Sequence, residues 1–246
     1  MTTLTGKRVL VTGASRGIGA AIALHLARDG ADVAITYSSS PDRAAEVVRG
    51  IEVLGRKGFA IAADSADPAA VHHSVEETVR LLGGLDILVN NAGIARGGAL
   101  EAMSLTDIDA LLDVNIRSVI LASQAAIPHL GQGGRIVNIG SCLAERVSLP
   151  GLSVYSMTKS ALISLTKGLS RDLGPRGITV NIVHPGPTDT DMNPAAGPQA
   201  ETQRQQVSVG HYGKPEDVAA AVAFLASPHS GQINGTGITV DGGLNA

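Results

Sequence analysis

Tyr155 and Lys159 stand four residues apart, with Tyr155 fourteen residues after Ser141. At that spacing two side chains share one helix face, about one turn apart. An ordinary tyrosine, with a pKa of ~10, is a poor acid or base at neutral pH. A nearby ammonium favours the phenolate and lowers that value. Bringing it close to neutrality needs roughly 4 kcal/mol of differential interaction. Tyr155 is then able to exchange a proton with a substrate oxygen. The spacing is met equally by a tyrosine and a lysine that merely lie on the same helix.

The second chemical signal is Thr12-Gly13-Ala14-Ser15-Arg16-Gly17-Ile18-Gly19. Glycines between a strand and a helix let the backbone approach a pyrophosphate, and the helix N-terminus supplies donors and a positive field. The spacing is GxxxGxG, not the GxGxxG of the standard fingerprint. The alternative is a tight strand-to-helix turn that binds nothing. Nucleotide choice is read about 20 residues on, where the chain has Thr36-Tyr37-Ser38-Ser39-Ser40 and no carboxylate to repel a 2′-phosphate. Hydroxyl donors there and the positive charge of Arg16 favour NADP over NAD. Ser38 to Ser40 also suit a turn and a helix cap.

Stepping outward from these residues, short β-branched runs alternate with Ala- and Leu-rich stretches. The strand candidates are 9–11, 32–36, 59–61, 86–89, 135–139, 178–183 and 238–240. The helix candidates are 18–28, 41–54, 68–82, 107–129, 153–172 and 215–226, with Ser40 as N-cap and Pro41 at the first position of the second. Continuous apolar strands are expected where both sheet faces are covered. The reading is α/β: one doubly wound, seven-stranded parallel sheet with helices on both faces, a single domain over 1–246. An irregular stretch near 187–213, rich in Pro, Gly, Gln and Ala, is the candidate substrate-covering segment.

Composition narrows the function. The 246 residues are 44% hydrophobic but only 2% aromatic, so aliphatic packing must supply the core. A net charge of −3 with no basic block argues against nucleic acid. The single cysteine, Cys142, is expected to be a packed small residue and fits a reducing, cytoplasmic setting. No signal peptide is expected ahead of Lys7, and no membrane span. The absence of HExxH and CxxC leaves a zinc hydrolase reading without support, and no metal site is expected. His72 and His73 are expected to be solvated, whereas His184 is open between lining the site and packing.

The glycine loop, Asn90-Asn91-Ala92-Gly93, Asn115, Ser141, Tyr155-x3-Lys159 and Pro185-Gly186 occur in the order that resembles a classical short-chain dehydrogenase/reductase. The resemblance covers essentially the whole chain. Within that family the chain is similar to bacterial 3-oxoacyl-carrier-protein reductases and related carbonyl reductases. The resemblance implies a Rossmann fold and hydride transfer between NADP(H) and a carbonyl or secondary alcohol. It assigns Tyr155 as acid/base and Lys159 as the residue that holds the nicotinamide ribose and lowers the tyrosine pKa. It assigns Ser141 as the hydroxyl that polarises the carbonyl and Asn115 as anchor of a water chain from Lys159. Gly13, Ser15, Arg16, Gly17, Ile18 and Gly19 match the phosphate loop, with Tyr37, Ser38 and Ser39 at the nucleotide-choosing end. Asp64 and Ser65 match the adenine contact. Asn90, Asn91, Ala92 and Gly93 match the adenosine-ribose segment, and Pro185, Gly186, Thr188 and Thr190 the segment around the nicotinamide amide and phosphates. It also implies a homotetramer built on the helices near 107–129 and 153–172; Ala161, Leu162, Leu165 and Leu169 suit internal packing as well.

Three departures bear on substrate. Thirteen residues separate Ser141 from Tyr155 where many relatives have twelve, and the extra one falls in the loop 143–152 that usually walls the pocket. Glu145 and Arg146 are expected to add polarity at its rim. Pro128 to Gly134 holds no Lys or Arg where carrier-protein reductases present basic residues, leaving only Arg176 nearby. A free ketone, aldehyde or keto ester therefore leads, with 3-oxoacyl-carrier-protein reduction as the alternative. His211-Tyr212 stands where relatives commonly have Arg. Relatives that reduce enoyl double bonds usually separate Tyr and Lys by six residues, unlike Tyr155-x3-Lys159. A regulator that binds NADP without turning it over is the non-enzymatic alternative.

Overall fold

Strands form where the chain offers short apolar runs, and they stack in parallel because helices carry every crossover. The computed structural model describes residues 3–246. In chain order the main elements are β1 (Arg8–Val11), α1 (Gly17–Arg28), β2 (Asp32–Tyr37), α2 (Pro41–Val53), β3 (Gly58–Ala62), α3 (Pro68–Leu82) and β4 (Ile87–Asn90). There follow α4 (Leu105–Leu112), α5 (Ser118–Ala126), β5 (Arg135–Ile139), α6 (Ser153–Leu173), β6 (Thr179–Pro185), α7 (Ala200–Gln206), α8 (Pro215–Ala226) and β7 (Gly237–Val240). The sheet order is β3-β2-β1-β4-β5-β6-β7, parallel throughout. The order reverses between β1 and β4, and the crevice outside the carboxyl ends of these strands is where ligands bind in such sheets.

Both faces are sealed. Ile22, Leu26, Ile51 and Leu225 pack on one side with Val9, Val11, Val33 and Ile35. Val75, Ala126, Leu130 and Leu173 pack on the other with Leu10, Leu88, Ile136 and Val180. Every residue of β4, β5 and β6 is buried. A buried polar ladder ties the centre together: Asn90 Nδ2 donates to Asn138 Oδ1 (2.9 Å) and Ser123 Oγ (3.1 Å), and Asn138 Nδ2 donates to Thr166 Oγ1 (2.9 Å).

Three local differences from the sequence expectations have physical causes. Ser40 occupies the cap position of α2 but makes no capping bond, and Pro41 alone opens the helix. The helix expected over 107–129 runs from Leu105 to His129 but widens to a π-turn at Asp113–Arg117, between α4 and α5. Such turns recur at functional sites, and this one carries Asn115. The irregular segment contains the short helix α7, which its polar sequence, AETQRQQ, does not advertise by periodicity. His72 and His73 are exposed, as expected.

Candidate active site

The glycine loop turns sharply because Gly13 (φ +62°) and Gly17 (φ +55°) adopt left-handed backbone. A Cβ on Gly13 would lie 2.8 Å from Ala92 Cα. The loop is stitched to the end of β4. Thr12 Oγ1 accepts from the N–H groups of Asn91 and Ala92 at 3.0 Å, and Asn91 Nδ2 donates to the carbonyls of Thr12 (2.8 Å) and Gly13 (3.0 Å). Gly13→Ala is expected to cost about 1–3 kcal/mol, seen as a lower urea midpoint, and to weaken dinucleotide binding in the same protein.

The crevice along this edge is one continuous cleft of about 500 Å³. Gly13, Ser15, Arg16, Gly17, Ile18 and Gly19 line it beside Tyr37 and Ser38, Asp64 and Ser65, and Asn91 to Gly93. Ser141, Tyr155, Lys159, Pro185, Gly186, Thr188 and Thr190 continue the wall. Ser39 is exposed at the rim and does not line the cleft. Asn90 and Asn115 are buried behind the wall. The open glycine cradle at the start of α1 and the length of the cleft fit an extended dinucleotide.

Tyr155 and Lys159 sit one turn apart on α6 and face this cleft. The Ser141 hydroxyl accepts from Leu143 N–H at 3.1 Å and is hydrogen-bonded with the Tyr155 side chain, favouring its phenolate. Burial is the larger influence and holds the Tyr155 pKa above its ordinary value. The lowering expected from Lys159 is therefore not found. The Lys159 ammonium donates instead to the carbonyl of Ile139 at 3.1 Å, and burial brings its own pKa down to about 8. Asn115 stands beside it: a Cβ on Gly93 would lie 3.2 Å from Lys159 Nζ and 3.4 Å from Asn115 Oδ1. Asn115 Oδ1 accepts from Ile94 N–H, and its Nδ2 donates to the Ile94 carbonyl (both 2.9 Å) and to Thr158 Oγ1 (3.1 Å).

At the nucleotide end Arg16 is solvent-facing, 3.5 Å from Asp191, which also pairs with Arg43 on α2. Arg43 holds the Asp191 carboxyl below its usual range. Apart from Arg16, Asp64, Lys159 and Asp191 the lining of the cleft is uncharged. Leu143, Leu149, Leu152, Met192 and Leu244 supply apolar surface, and Gln199, Gln203 and Gln206 supply amides. The loop 143–152 and the segment after β6 signalled part of this wall. Leu244 was not foreseen, because only the turn after β7 brings it there; it packs with Cys142 and Val207. Arg146, expected at the rim, donates to the Leu244 carbonyl at 2.8 Å. Tyr212 acquires a role as well. It is buried, its hydroxyl donates to Gln203 Oε1 (3.0 Å), and Arg204 lies over its ring, fastening α7 to the segment that follows. Burial drives the Cys142 thiol up to about 11, so it is an unreactive packed side chain.

A family model described as Enoyl-(Acyl carrier protein) reductase matches residues 13–245. The crystal structure of a short chain dehydrogenase from Burkholderia cenocepacia J2315 in complex with NADP is similar with a TM-score of 0.98 at 64% identity, covering 99% of this chain and 100% of that one. Among curated proteins, the cyclic-di-GMP-binding biofilm dispersal mediator protein of Escherichia coli K12 is 43% identical over the full length of both chains. The 3-oxoacyl-[acyl-carrier-protein] reductase FabG of Staphylococcus aureus is 42% identical, over 97% of this chain and 98% of its own.

Proposed function

Since this chain belongs to the short-chain dehydrogenase/reductase family of oxidoreductases, we propose that it reduces an uncharged ketone or keto ester with NADPH, reversibly. The observation that carries this reading is the convergence of Ser141, Tyr155 and Lys159 on one cleft, with Asn115 against Lys159. When bound, NADPH supplies the hydride that adds to the carbonyl carbon. The protein's part is to stabilise and protonate the oxygen on which charge develops. Burial keeps the Tyr155 phenol protonated near neutral pH, the state needed in a proton donor. Tyr155 Oη gives its proton to the forming alkoxide, and Ser141 Oγ donates a hydrogen bond to the same oxygen. Lys159, with a pKa of about 8, is poised to restore that proton and to hold the nicotinamide ribose. Asn115 fixes the Ile94 backbone beside it and anchors the water path from Lys159. Pro185, Gly186, Thr188 and Thr190 shape the nicotinamide end.

Preference for NADP over NAD rests on Arg16, Tyr37 and Ser38, which line the cleft with no acid among them, whereas Ser39 lies outside it; the Burkholderia cenocepacia relative was crystallised with NADP. Arg16 is exposed, and its ion pair with Asp191 is on the surface, so Arg16→Ala is expected to weaken NADPH about tenfold without unfolding the protein. NADH affinity should stay unchanged, as checked by fluorescence titration with both cofactors. Equal losses for the two would contradict this assignment.

A free substrate is favoured over one carried on an acidic protein. Arg176 is committed within the fold, donating to the carbonyls of Ile127 (2.9 Å) and Leu130 (2.8 Å). The substrate end of the cleft is apolar and amide-lined. Enoyl reduction, which the matching family model names, is disfavoured by Tyr155-x3-Lys159. In the proposed homotetramer, the exposed Ile120 of α5 and Met157 of α6 meet other copies. A panel of free and carrier-linked carbonyls, each with NADPH and NADH and followed by nicotinamide absorbance, tests the reading. Turnover of free ketones or keto esters with NADPH is expected. Turnover confined to carrier-linked substrates, or cofactor binding without consumption of any carbonyl, would overturn it.

A further inference from the structure

His184 is the penultimate residue of β6, and only 2% of it is exposed. Its ring occupies a slot that exists because two neighbours have no side chain. A Cβ on Gly140 would lie 2.6 Å from its Nδ1, and one on Gly237 2.9 Å from its Nε2 and Cδ2. Gly140 immediately follows β5 and Gly237 opens β7, so the imidazole is clasped between the strands on either side of β6.

Nδ1 of His184 lies 3.0 Å from the backbone carbonyl of Ser141. A carbonyl only accepts, so Nδ1 carries the proton and the neutral ring is the donor. Burial lowers the His184 pKa, which keeps the ring in that form. Ser141 leaves the sheet here in extended backbone and begins the turn Cys142–Ala144. Its carbonyl also accepts from Ala144 N–H at 3.0 Å, and its hydroxyl accepts from Leu143 N–H at 3.1 Å. Those two bonds come from the turn itself and move with it. The bond from His184 is the one among these three that ties the Ser141 peptide to the sheet.

We propose that His184 is a positioning residue for Ser141, fixing the peptide that aims the serine hydroxyl at the substrate oxygen. The inference rests on the reading of Ser141 as the hydroxyl that polarises the carbonyl. Misplacing a donor by a fraction of an ångström to 1 Å is enough to slow chemistry by one or two decades.

The test is a double-mutant cycle in the full-length protein, with a ketone turned over by the wild type. His184→Leu fills the slot without a donor; His184→Asn places an amide N–H near the position of Nδ1. His184→Leu is expected to lower kcat about 10- to 100-fold with NADPH affinity unchanged, and His184→Asn to recover most of the loss. In a Ser141→Ala background, itself slowed on the order of 10²-fold, His184→Leu should cost nothing further. Wild-type kcat in His184→Leu, an Asn variant as slow as the Leu variant, or the same loss on top of Ser141→Ala would overturn the proposal. If His184→Leu fails to fold in a thermal melt, His184→Ala is compared with His184→Asn in its place. Wild-type turnover by Ser141→Ala would remove the reading of Ser141 and this inference with it. A slow Ser141→Ala beside a fast His184→Leu would remove this inference alone.

Discussion

Tyr155→Phe is expected to lower kcat on the order of 10³-fold while NADPH affinity stays within about a factor of two. The substitution removes one oxygen and leaves the ring that packs in the cleft. It deletes the proton donor and one of two hydrogen bonds to the developing alkoxide, an interaction made chiefly in the transition state. Such losses fall on kcat and kcat/KM together, with KM little changed. Ser141 stays in place, because its hydroxyl and carbonyl are held by Leu143, Ala144 and His184 independently of the phenol. Activity near the wild-type level in Tyr155→Phe, measured at saturating NADPH, would exclude Tyr155 as the acid.

Lys159→Met is expected to abolish useful turnover and at the same time to stabilise the cofactor-free protein at pH 7. The ammonium is buried, and among the described residues its hydrogen bond is to the Ile139 carbonyl, with no carboxylate partner. Burial depresses its pKa from 10.5 to about 8, a difference worth roughly 3 kcal/mol against folding with the lysine charged. The sign follows from proton binding. Between pH 8 and 10.5 the unfolded chain holds this proton while the folded chain has released it, so wild-type stability gains with rising pH across that window. Methionine keeps the length and apolar stem but has nothing to titrate. The advantage of Lys159→Met should therefore be largest below pH 8 and shrink by about 3 kcal/mol by pH 10.5. Urea unfolding of both proteins across this range reads the difference directly. A constant difference would show that Lys159 titrates alike in both states.

Much of this site was legible because its parts are local. The glycine loop, the strand ends that carry Asn90–Gly93 and Ser141, and the four-residue step from Tyr155 to Lys159 are fixed by short-range geometry. Continuous apolar runs announced the parallel sheet, and strand 135–139 was placed to the residue. What escaped was set by tertiary environment. Whether Lys159 acts on Tyr155 depends on where its ammonium points, and the Ile139 carbonyl claims it. The π-turn at Asn115 leaves no periodic mark in a stretch rich in Ala, Leu and Ile. Leu244 reaches the cleft only through the turn after β7, the last strand of the sheet. Tyr212 could not be given a role until α7 brought Gln203 to its hydroxyl. The slot for His184 depends on Gly140 and Gly237, glycines 97 positions apart in the chain.

The most direct measurement of the central claim is isotope transfer. The protein is given NADPH deuterated at the reactive nicotinamide carbon and a mixture of an uncharged ketone and an α,β-unsaturated acyl thioester, and the products are read by mass spectrometry and NMR. The account predicts one deuterium on the carbinol carbon of the alcohol, none in the thioester, and loss of both signal and turnover in Tyr155→Phe. Deuterium at the β-carbon of a saturated thioester, or NADPH bound but never oxidised, would contradict it.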